Sequence, residues 1–449
     1  MKIQFCGANH EVTGSCHLLI TSKKKILVDC GMFQGGNYSE GKNFDDFPFD
    51  PKDIDVLIIT HAHLDHVGRI PKLMKEGFKG RVIATKATCK IAPLVMADAQ
   101  KIMTYNNKKF QTPILYSIED VEQAERLCEG FDYNTKVDLG DGENVVFKDA
   151  GHIYGSSFLE VEADGKRIGF SGDIGNDGAP ILKDTAKLGA VDILLCESTY
   201  GDRIHETPDT RDNIIHGLIR EAAERGGVIM VPAFSIERTQ ELLYSLHTLS
   251  EQGKMPKMPI FVDSPLAIKV TEVYSEYPEY YDKEACKHYM EGNNFLTFPR
   301  LEMTGSREKS KSINNRQPPK MIIAGAGMMN GGRILHHAHR YLSDPKSTLI
   351  IVGYQAQGSL GRQLYEGAKE VKIFGDEIPV RCNVKAIGAL SAHGDQHKLM
   401  TWVGGAESVP KTVYFVHGEP DAANALMARM KNDIGVEGFF PEYGEVVEV

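Results

Sequence analysis

The sequence lacks the excess of positive charge that a protein needs in order to coat nucleic acid. Its 449 residues hold 51 lysines and arginines against 61 aspartates and glutamates, so the formal net charge is −10. Proteins that bind nucleic acid over much of their surface are basic, and this class is therefore excluded. A polyanionic partner must be bound by a local basic patch or through metal ions.

Long apolar runs and paired cysteines are also missing. No apolar stretch approaches the roughly 18 residues of a membrane span, and the first residues do not form a signal peptide pattern. The eight cysteines are scattered and contain no Cys-x-x-Cys pair. Most of them lie in apolar segments, where a free cysteine behaves as a small hydrophobic residue. These features predict a reduced, cytoplasmic environment.

The composition is that of a globular protein, with 42% hydrophobic and 25% charged residues. At roughly 150 residues per domain, the length predicts two to three domains. Short apolar strands with turn signals fill the first 200 residues, helices and strands alternate over 206–371, and the earlier pattern then returns. We therefore predict one domain in two parts, 1–205 and 372–449, with a second domain inserted at 206–371. The pattern predicts an α/β sandwich and, in the insertion, a small parallel sheet.

The strongest chemical signal is the segment 61–66, which reads His-Ala-His-Leu-Asp-His directly after an apolar strand predicted at Val56–Thr60. Imidazole and carboxylate are the preferred zinc ligands outside all-cysteine sites. The first two histidines can reach one ion from an extended turn, and the aspartate and last histidine can reach a second. The sequence thus predicts a metal site at this strand end.

Two more strand ends carry residues suited to the same site. His152 follows Asp-Ala-Gly and Asp173 follows Phe-Ser-Gly, in each case after an apolar strand. Either residue alone is more typical of a cap or a surface position. Beside the 61–66 segment they supply a third imidazole and a carboxylate able to bridge two ions. Asp29 ends another strand and fits a hydrogen-bonding partner of a ligand histidine or of bound water.

Taken together, these motifs resemble the metallo-β-lactamase superfamily, in which His-x-His-x-Asp-His precedes a lone histidine and a lone aspartate. Three further segments resemble motifs A, B and C of its β-CASP branch, the nucleic-acid-processing nucleases. They are 197–201 (Glu-Ser-Thr-Tyr-Gly), 391–395 (Ser-Ala-His-Gly-Asp) and 416–419 (Val-His-Gly-Glu). The chain is most similar to the compact bacterial ribonucleases of this branch, which are related to the nuclease subunit of the cleavage and polyadenylation machinery. This implies an α/β fold, a metallo-β-lactamase αββα sandwich with an inserted β-CASP domain.

The resemblance also implies a site with two zinc ions per chain. One ion would be held by His61, His63, His152 and Asp173. The other would be held by Asp65, His66, Asp173 and His417. His393 would act as the general acid or contact the scissile phosphate, with Glu197 orienting it, and Asp65 would take part in catalysis. The implied chemistry is a two-metal mechanism in which a metal-bridged hydroxide attacks phosphorus.

Weaker features indicate where a substrate would contact the chain. The expected substrate-binding residues are Ser235, Arg238, Gly327, Arg333 and Ser391. The segment 307–340 holds seven lysines and arginines and one acidic residue. It is interpreted either as a wall that contacts phosphates or as a solvated face, and both interpretations stay open. The histidines at 336, 337 and 339 lack carboxylate neighbours in sequence and are interpreted as surface or packing residues.

We therefore predict a zinc-dependent ribonuclease that hydrolyses single-stranded RNA. A DNA nuclease of the same branch is the alternative, and His417 discriminates, since RNA-processing members carry histidine there. A small-molecule hydrolase of the lactamase or thioesterase type is disfavoured by the long insertion and by motifs A to C. A non-catalytic RNA-binding scaffold is disfavoured because every expected ligand is present. The sequence leaves open whether cleavage is endonucleolytic or 5′-exonucleolytic, and whether the chain forms a homodimer.

Overall fold

The computed structural model describes residues 1–35, 37–205, 208–353, 355, 358–387 and 392–449. These residues form two compact units. The first unit consists of residues 1–177, 183–204 and 393–449, and the second consists of residues 178–182 and 205–392. The sequence-based domain limits at 206 and 371 stay predictions.

The first sheet of the first unit mixes antiparallel and parallel strands. Its strands are β1 (Lys2–Phe5), β2 (His17–Ile20), β3 (Lys25–Val28), β4 (Val56–Ile58), β5 (Arg81–Thr85), β6 (Cys128–Phe131) and β22 (Val446–Glu448). Their order in the sheet is β22-β1-β2-β3-β4-β5-β6. Because β3, β4, β5 and β6 run parallel, the residues that follow β3 and β4 leave the sheet at the same edge.

The second sheet of this unit has the same mixed character. Its strands are β7 (Lys136–Gly140), β8 (Glu143–Asp149), β9 (Ser157–Ala163), β10 (Lys166–Phe170), β11 (Ile193–Glu197), β20 (Thr412–Val416) and β21 (Glu437–Phe439). Their order is β21-β20-β11-β10-β9-β8-β7, and β10, β11 and β20 are parallel. A hairpin turn at Asp164 and Gly165, both of which have positive φ angles, joins the antiparallel strands β9 and β10.

An apolar core lies between the two sheets. Ile26 and Val28 of the first sheet share this core with Phe147 and Leu195 of the second. Burial of each such side chain contributes about 1.5–3 kcal/mol to stability. Since successive side chains of a strand point to opposite faces, Leu194 lies on the outer face, where helices cover it. The arrangement is the predicted αββα sandwich.

Helices cover the outer faces of the sandwich. They are α1 (Asn37–Gly41), α2 (Leu64–Val67), α3 (Ile70–Lys75), α4 (Lys86–Phe110), α5 (Ile118–Leu127), α13 (Gln396–Gly404) and α14 (Pro420–Ile434). Helix α5 begins with a capping box, in which the side chains of Ser117 and Asp120 each accept from the backbone N–H of the other. It ends at Leu127, and residues 128–131 pair with β5 as the edge strand β6.

The second unit contains a parallel sheet, as predicted. Its strands are β12 (Val228–Pro232), β13 (Ile260–Val262), β14 (Leu301–Met303), β15 (Lys320–Ala324), β16 (Thr348–Ile351) and β19 (Asn383–Ala386). They are ordered β14-β13-β15-β12-β16-β19, and each neighbouring pair is parallel. A separate antiparallel hairpin joins β17 (Glu370–Ile373) and β18 (Asp376–Pro379).

The helices of the second unit alternate with these strands along the chain. They are α6 (Pro208–Glu224), α7 (Arg238–Glu251), α8 (Pro265–Tyr274), α9 (Lys283–Met290), α10 (Arg307–Ser312), α11 (Ile334–Tyr341) and α12 (Leu360–Tyr365). Phe261, Ile322 and Leu349 of the sheet pack with Ile334 of α11 in one apolar cluster.

One pair of cysteines differs from the expectation of free cysteines. Cys89 on α4 and Cys128 at the start of β6 form a disulfide, which their separation of 39 residues did not indicate. The other cysteines are free, and all of them except Cys286 are buried. The cytoplasmic location stays a prediction. Among the residues that the structure describes, no helix has both the length and the apolar character needed to cross a membrane.

Candidate metal centre

The ends of strands in both sheets position the side chains of the candidate metal centre. In the first sheet, Asp29 follows β3, and the segment 61–66 begins three residues beyond the end of β4. In the second sheet, Asp173 follows β10, Glu197 ends β11 and His417 follows β20. Because β3 and β4 are parallel to each other, as are β10, β11 and β20, each sheet brings these groups to one edge.

A first group of four ligand atoms comes from His61, His63, His152 and Asp173. Nδ1 of His63 lies 3.2 Å from Nε2 of His61 and 3.1 Å from Nε2 of His152. Oδ2 of Asp173 lies 3.4 Å from Nε2 of His61 and 3.5 Å from Nε2 of His152. Ligands placed tetrahedrally about 2.0–2.1 Å from a zinc ion are about 3.3 Å apart. The spacing of this group therefore fits one tetrahedral ion.

A second group lies on the other side of the same aspartate and consists of Asp65, His66 and His417. Nε2 of His417 lies 3.2 Å from Oδ2 of Asp65. Oδ1 of Asp173 lies 3.3 Å from Nε2 of His66 and 3.8 Å from Nε2 of His417. The two carboxylate oxygens of Asp173 therefore face two different groups of ligand atoms, as a bridging carboxylate does.

Three atoms at the junction of these groups lack hydrogen bonds. Both carboxylate oxygens of Asp173 and Nε2 of His66 are buried, and within the described part of the chain none of them has a hydrogen-bond partner. A buried ionised group without compensation costs several kcal/mol, unless it is paired or coordinates a metal. These atoms and their spacing fit divalent cations in both groups.

The electrostatics of the first group favour the protonation states that bind metal. Burial lowers the pKa of His61, His63 and His152, and it lowers that of His63 to about 3. Burial alone would raise the pKa of Asp173, but the surrounding histidines, His417 foremost, hold it well below its ordinary value. Neutral imidazoles and an ionised carboxylate are the forms that coordinate a cation.

Asp29 and Thr60 orient one ligand histidine of each group. Oδ2 of Asp29 lies 2.8 Å from Nδ1 of His66. Thr60 donates its backbone N–H to Oδ1 and its hydroxyl to Oδ2 of Asp29, each at 2.8 Å. The same hydroxyl oxygen lies 3.0 Å from Nδ1 of His61. The sequence analysis predicted Asp29 as a hydrogen-bonding partner of a ligand histidine, but it missed Thr60. The only indication of Thr60 in the sequence was its position directly before His61.

His417 is oriented by a residue that the sequence analysis did not single out. The hydroxyl oxygen of Thr199 lies 3.0 Å from Nδ1 of His417 and donates to the His417 carbonyl at 3.0 Å. Thr199 belongs to motif A, and pairing of β11 with β20 brings it beside motif C. The location of Thr199 within a named motif was the available signal.

His393 lies beside the two groups. Together with Glu197, Asp173 and His417 it forms a further group whose ligand atoms all lie within 4.8 Å of one another. Nδ1 of His393 is 3.1 Å from Oε2 of Glu197 and 3.8 Å from Oδ2 of Asp173. Oε1 of Glu197 accepts the backbone N–H of Ile174 at 2.6 Å, and Asn176 donates to the His393 carbonyl at 2.7 Å. Burial lowers the pKa of His393, but Glu197 and Asp173 outweigh it and raise the pKa to about 9. The two carboxylates therefore favour the protonated form of His393.

The arginines predicted to bind substrate lie in the second unit, where each contacts a carboxylate. Arg238 is buried and pairs with Glu241. Nη1 of Arg333 donates to Oδ1 of Asp263 at 2.7 Å and to the carbonyl of Thr304 at 2.6 Å. These contacts stabilise the unit itself. The assignment of either arginine to substrate stays a prediction.

The other residues predicted to bind substrate are uncharged. Oγ of Ser235 lies 3.1 Å from Oγ of Ser264. A side chain at Gly327 would come within 2.6 Å of the ring of Phe234, so close packing requires glycine there. Ser391 lies outside the described residues.

The basic segment 307–340 is only partly available to a ligand. Lys320 is buried, and its ammonium group donates to the carbonyls of Ile313 at 2.7 Å and Arg316 at 2.8 Å. Arg316 pairs with Glu302 at 3.1 Å. Helix α10 presents the exposed basic side chains Arg307, Lys309 and Lys311. The expectation that the three histidines lack carboxylate neighbours is wrong for two of them. Nε2 of the buried His337 lies 2.7 Å from Oδ2 of Asp263, and Nε2 of His339 lies 2.8 Å from Oδ2 of Asp376. Their interpretation as surface or packing residues stays a prediction.

Sequence comparison divides the chain into three family matches. Residues 11–214 match the metallo-beta-lactamase superfamily, and residues 239–364 match the Beta-Casp domain. Residues 377–441 match the Zn-dependent metallo-hydrolase RNA specificity domain.

The chain is also similar to characterised proteins over its whole length. It is 38% identical to ribonuclease TTHA0252 of Thermus thermophilus over 449 residues, which cover all of both chains. It is 32% identical to an RNase J-like protein of Methanocaldococcus jannaschii, over 100% of this chain and 99% of that protein. It is 29% identical to the transcription termination factor FttA of Methanosarcina mazei, over 97% of this chain and 70% of that protein.

A solved structure supports the same fold. The crystal structure of a protein of unknown function from Enterococcus faecalis V583 matches 99% of both chains, with a TM-score of 0.55 and 13% identity. At this identity the match concerns the fold alone. The resemblance carried by the sequence motifs is confirmed by the family matches and the full-length relatives. The chain belongs to the β-CASP branch of the metallo-β-lactamase superfamily, whose members are metal-dependent hydrolytic nucleases.

Proposed function

We propose that the chain is a ribonuclease that holds two zinc ions and hydrolyses phosphodiester bonds of single-stranded RNA. The observation that carries this proposal is the position of Asp173, whose two oxygens face separate groups of ligand atoms. One ion would be held by His61, His63, His152 and Asp173. The other would be held by Asp65, His66, Asp173 and His417.

The choice of zinc follows from the ligand atoms. Magnesium prefers six oxygen ligands, whereas zinc accepts imidazole nitrogen and carboxylate oxygen in a tetrahedral arrangement. The first group offers three imidazoles and one carboxylate oxygen. Four pairs of their ligand atoms lie 3.1 to 3.5 Å apart. This composition and spacing support zinc over magnesium or calcium.

When bound, the ions would supply Lewis acidity at the phosphate and lower the pKa of the attacking water. The remaining steps fall to side chains of the chain. His393 would donate a proton to the leaving oxygen, because Glu197 contacts its Nδ1 and stabilises the protonated ring. Since Nδ1 faces Glu197, the proton transferred would be the one on Nε2. Asp65 would orient the attacking water with its carboxylate.

RNA is favoured over DNA by two findings outside the metal centre. Residues 377–441 match an RNA specificity domain, and the relative that is 38% identical is named a ribonuclease. His417 is the residue that the sequence analysis gave as typical of RNA-processing members. In the second unit, the exposed α10 side chains are better supported as phosphate contacts than Arg238 and Arg333, whose guanidinium groups contact carboxylates. Ser235, Gly327 and Ser391 remain part of the proposed substrate contact.

The test is to incubate the zinc-loaded protein with end-labelled single-stranded RNA and with DNA of the same sequence, and to read both product ladders. We expect cleavage of RNA and much slower cleavage of DNA. Asp173→Ala, purified in the same way, is the control for a contaminating nuclease and should leave the RNA intact. Equal cleavage of both polymers would overturn the RNA assignment. If the zinc-loaded parent cuts no more RNA than the Asp173→Ala control, the proposed nuclease activity is overturned.

A further inference from the structure

The distal part of α4 presents an exposed basic and aromatic face in the first unit. We call residues 101–114 the α4 arm. It contains three lysines, and no acidic residue occurs between Asp98 and Glu119. Its large apolar side chains are exposed: Ile102 by 52%, Tyr105 by 61% and Phe110 by 61%. Such a surface is unusual in a chain whose net charge is −10, and exposed aromatic residues of this size indicate a binding site.

The lysines of the arm share one helix face with Tyr105, and Lys109 also contacts the ring of Phe110. Lys101, Tyr105, Lys108 and Lys109 are spaced i, i+4, i+7 and i+8, so they lie on one face of the helix. Nζ of Lys109 lies 5.9 Å from the ring centre of Tyr105 and 4.9 Å from that of Phe110. The face therefore offers positive charge and aromatic surface side by side.

This mixture favours single-stranded nucleic acid over a lipid surface. A helix that lies on a membrane carries its basic and apolar residues on opposite faces. Proteins that bind single strands combine cations for the phosphates with aromatic rings on which bases stack. On the α4 arm Tyr105 lies on the same face as the lysines, and Nζ of Lys109 lies over the rings of both Tyr105 and Phe110. The local charge of three lysines complements a polyanion.

The arm is far from the metal centre along the same helix. Thr85, the N-cap residue of α4, donates its hydroxyl to the carbonyl of Gly155, three residues from His152. The first part of α4 also packs against α2, which carries Asp65 and His66. With a rise of 1.5 Å per residue, Lys101 lies about 24 Å and Phe110 about 38 Å along the helix from its start. A strand on the arm would therefore be contacted several nucleotides from the bond that is cut.

We propose that the α4 arm is a second binding site for single-stranded RNA, which holds a part of the substrate outside the active site. This inference rests on the proposed function in one respect, namely that RNA is the polymer bound. It predicts that long substrates gain affinity from the arm and that short ones do not.

The test compares binding of a long RNA, about 30 nucleotides, with a short one, about 6 nucleotides, by fluorescence anisotropy. The charge variant is Lys101/Lys108/Lys109→Ala. It should weaken binding of the long RNA at least tenfold and flatten the log–log salt dependence by about 2 units, since each phosphate contact on a single strand contributes about 0.7. The short RNA should bind as tightly as it does to the parent.

Two further variants separate the contributions of stacking and net charge. Tyr105/Phe110→Ala should weaken binding of the long RNA at least about fivefold and leave the salt slope unchanged, because base stacking contributes about 1–3 kcal/mol per base. The matched control Lys23/Lys187/Lys411→Ala removes three exposed lysines elsewhere in the first unit. It should reproduce the parent within a factor of about 2.

Unchanged binding of the long RNA by both arm variants would overturn the inference, as would equal losses in the lysine control. The inference is also overturned if the arm variants bind RNA normally but lose binding to phosphatidylserine vesicles. It is likewise overturned if the arm variants change only in oligomeric state. Binding is measured independently of cleavage. A parent that binds long RNA through the arm but cuts no RNA would contradict the proposed function and leave the arm site standing.

Discussion

Oδ1 of Asp173 lies 3.3 Å from Nε2 of His66, and neither atom makes a hydrogen bond within the described part of the chain. Both side chains are 1% exposed, so bulk solvent does not reach them. Their other atoms are engaged: Nδ1 of His66 lies 2.8 Å from Asp29, and Oδ2 of Asp173 faces His61 and His152. A cation between Asp173 and His66 would give both atoms a partner. The position of such a cation predicts which variants lose metal.

The two ligand groups should lose metal separately. His61→Ala removes a ligand of the first group only, and His417→Ala removes a ligand of the second only. Each variant should lose about one of two zinc equivalents, whereas Asp173→Ala should lose both, because its carboxylate faces both groups. Metal content is measured by mass spectrometry after gel filtration. Loss of no zinc in Asp173→Ala would contradict the bridging role.

His393 should be separable from the metal ligands. His393→Ala should retain both zinc equivalents but cut RNA about 10²–10⁴-fold more slowly, because it lacks the proton donor. Glu197→Gln should retain zinc and show a smaller loss, since its carboxylate positions and stabilises the imidazole. Rates are compared at equal metal content. Loss of zinc in His393→Ala would make His393 a metal ligand instead.

Arg333 should stabilise the second unit. Asp263 is fully buried and accepts hydrogen bonds from Arg333 at 2.7 Å and from Ser310 at 2.7 Å. Burial raises the pKa of Asp263, but His337, Ser310 and Arg333 outweigh it and hold the pKa below its ordinary value. Arg333→Ala should therefore lower the free energy of unfolding by about 2 kcal/mol, measured by urea denaturation.

A matched pair of variants checks this interpretation of Arg333. In an Asp263→Asn background the further change Arg333→Ala should cost much less, since the buried charge is gone. Lys309/Lys311→Ala on the exposed helix α10 should alter stability by no more than about 0.5 kcal/mol. A stable Arg333→Ala protein that binds RNA more weakly would instead support a phosphate contact.

Stability should depend on pH through Asp149, which precedes the His152 loop. Burial raises the pKa of Asp149 to about 7, although the Gly151 N–H donates to its carboxylate at 2.9 Å. The folded chain thus binds a proton that the unfolded chain has lost above about pH 4, so this group destabilises the fold as pH rises from about 4 to 7.

Asp149→Asn should remove this dependence, because an amide keeps the oxygen acceptor without the charge. The variant should equal the parent near pH 4 and be more stable by at least about 1 kcal/mol at pH 8. The measurement is urea denaturation at both pH values in the same buffer. If the stability of the parent relative to the variant does not fall from pH 4 to pH 8, the raised pKa of Asp149 is contradicted.

Much of the candidate metal centre could be predicted because its candidate ligands follow apolar strands in short motifs. The segment 61–66, Asp173 and His417 all stand directly after or close to strand ends, where parallel pairing collects side chains at one edge. Thr60 was missed because a threonine at a strand end has many structural roles. Only the fold shows that its hydroxyl contacts both Asp29 and His61.

Charged residues and cysteines in the rest of the chain were harder to interpret. An arginine at a strand-to-helix turn, such as Arg238, fits a phosphate contact and an internal ion pair equally well in sequence. The partner Glu241 becomes evident only on the helix, where i and i+3 are neighbours. The disulfide between Cys89 and Cys128 was hard to predict for the same reason. It depends on the contact between α4 and β6, which no local sequence pattern indicates.

The central claim is that Asp173 joins two zinc ions. It is tested most directly by a crystal structure of the zinc-loaded protein with diffraction data collected at the zinc absorption edge. The account predicts two anomalous peaks about 3.5–4 Å apart, one on each side of the Asp173 carboxylate. The first would lie among His61, His63 and His152, and the second beside His66 and His417. A single peak, or two peaks that Asp173 does not contact, would contradict the account.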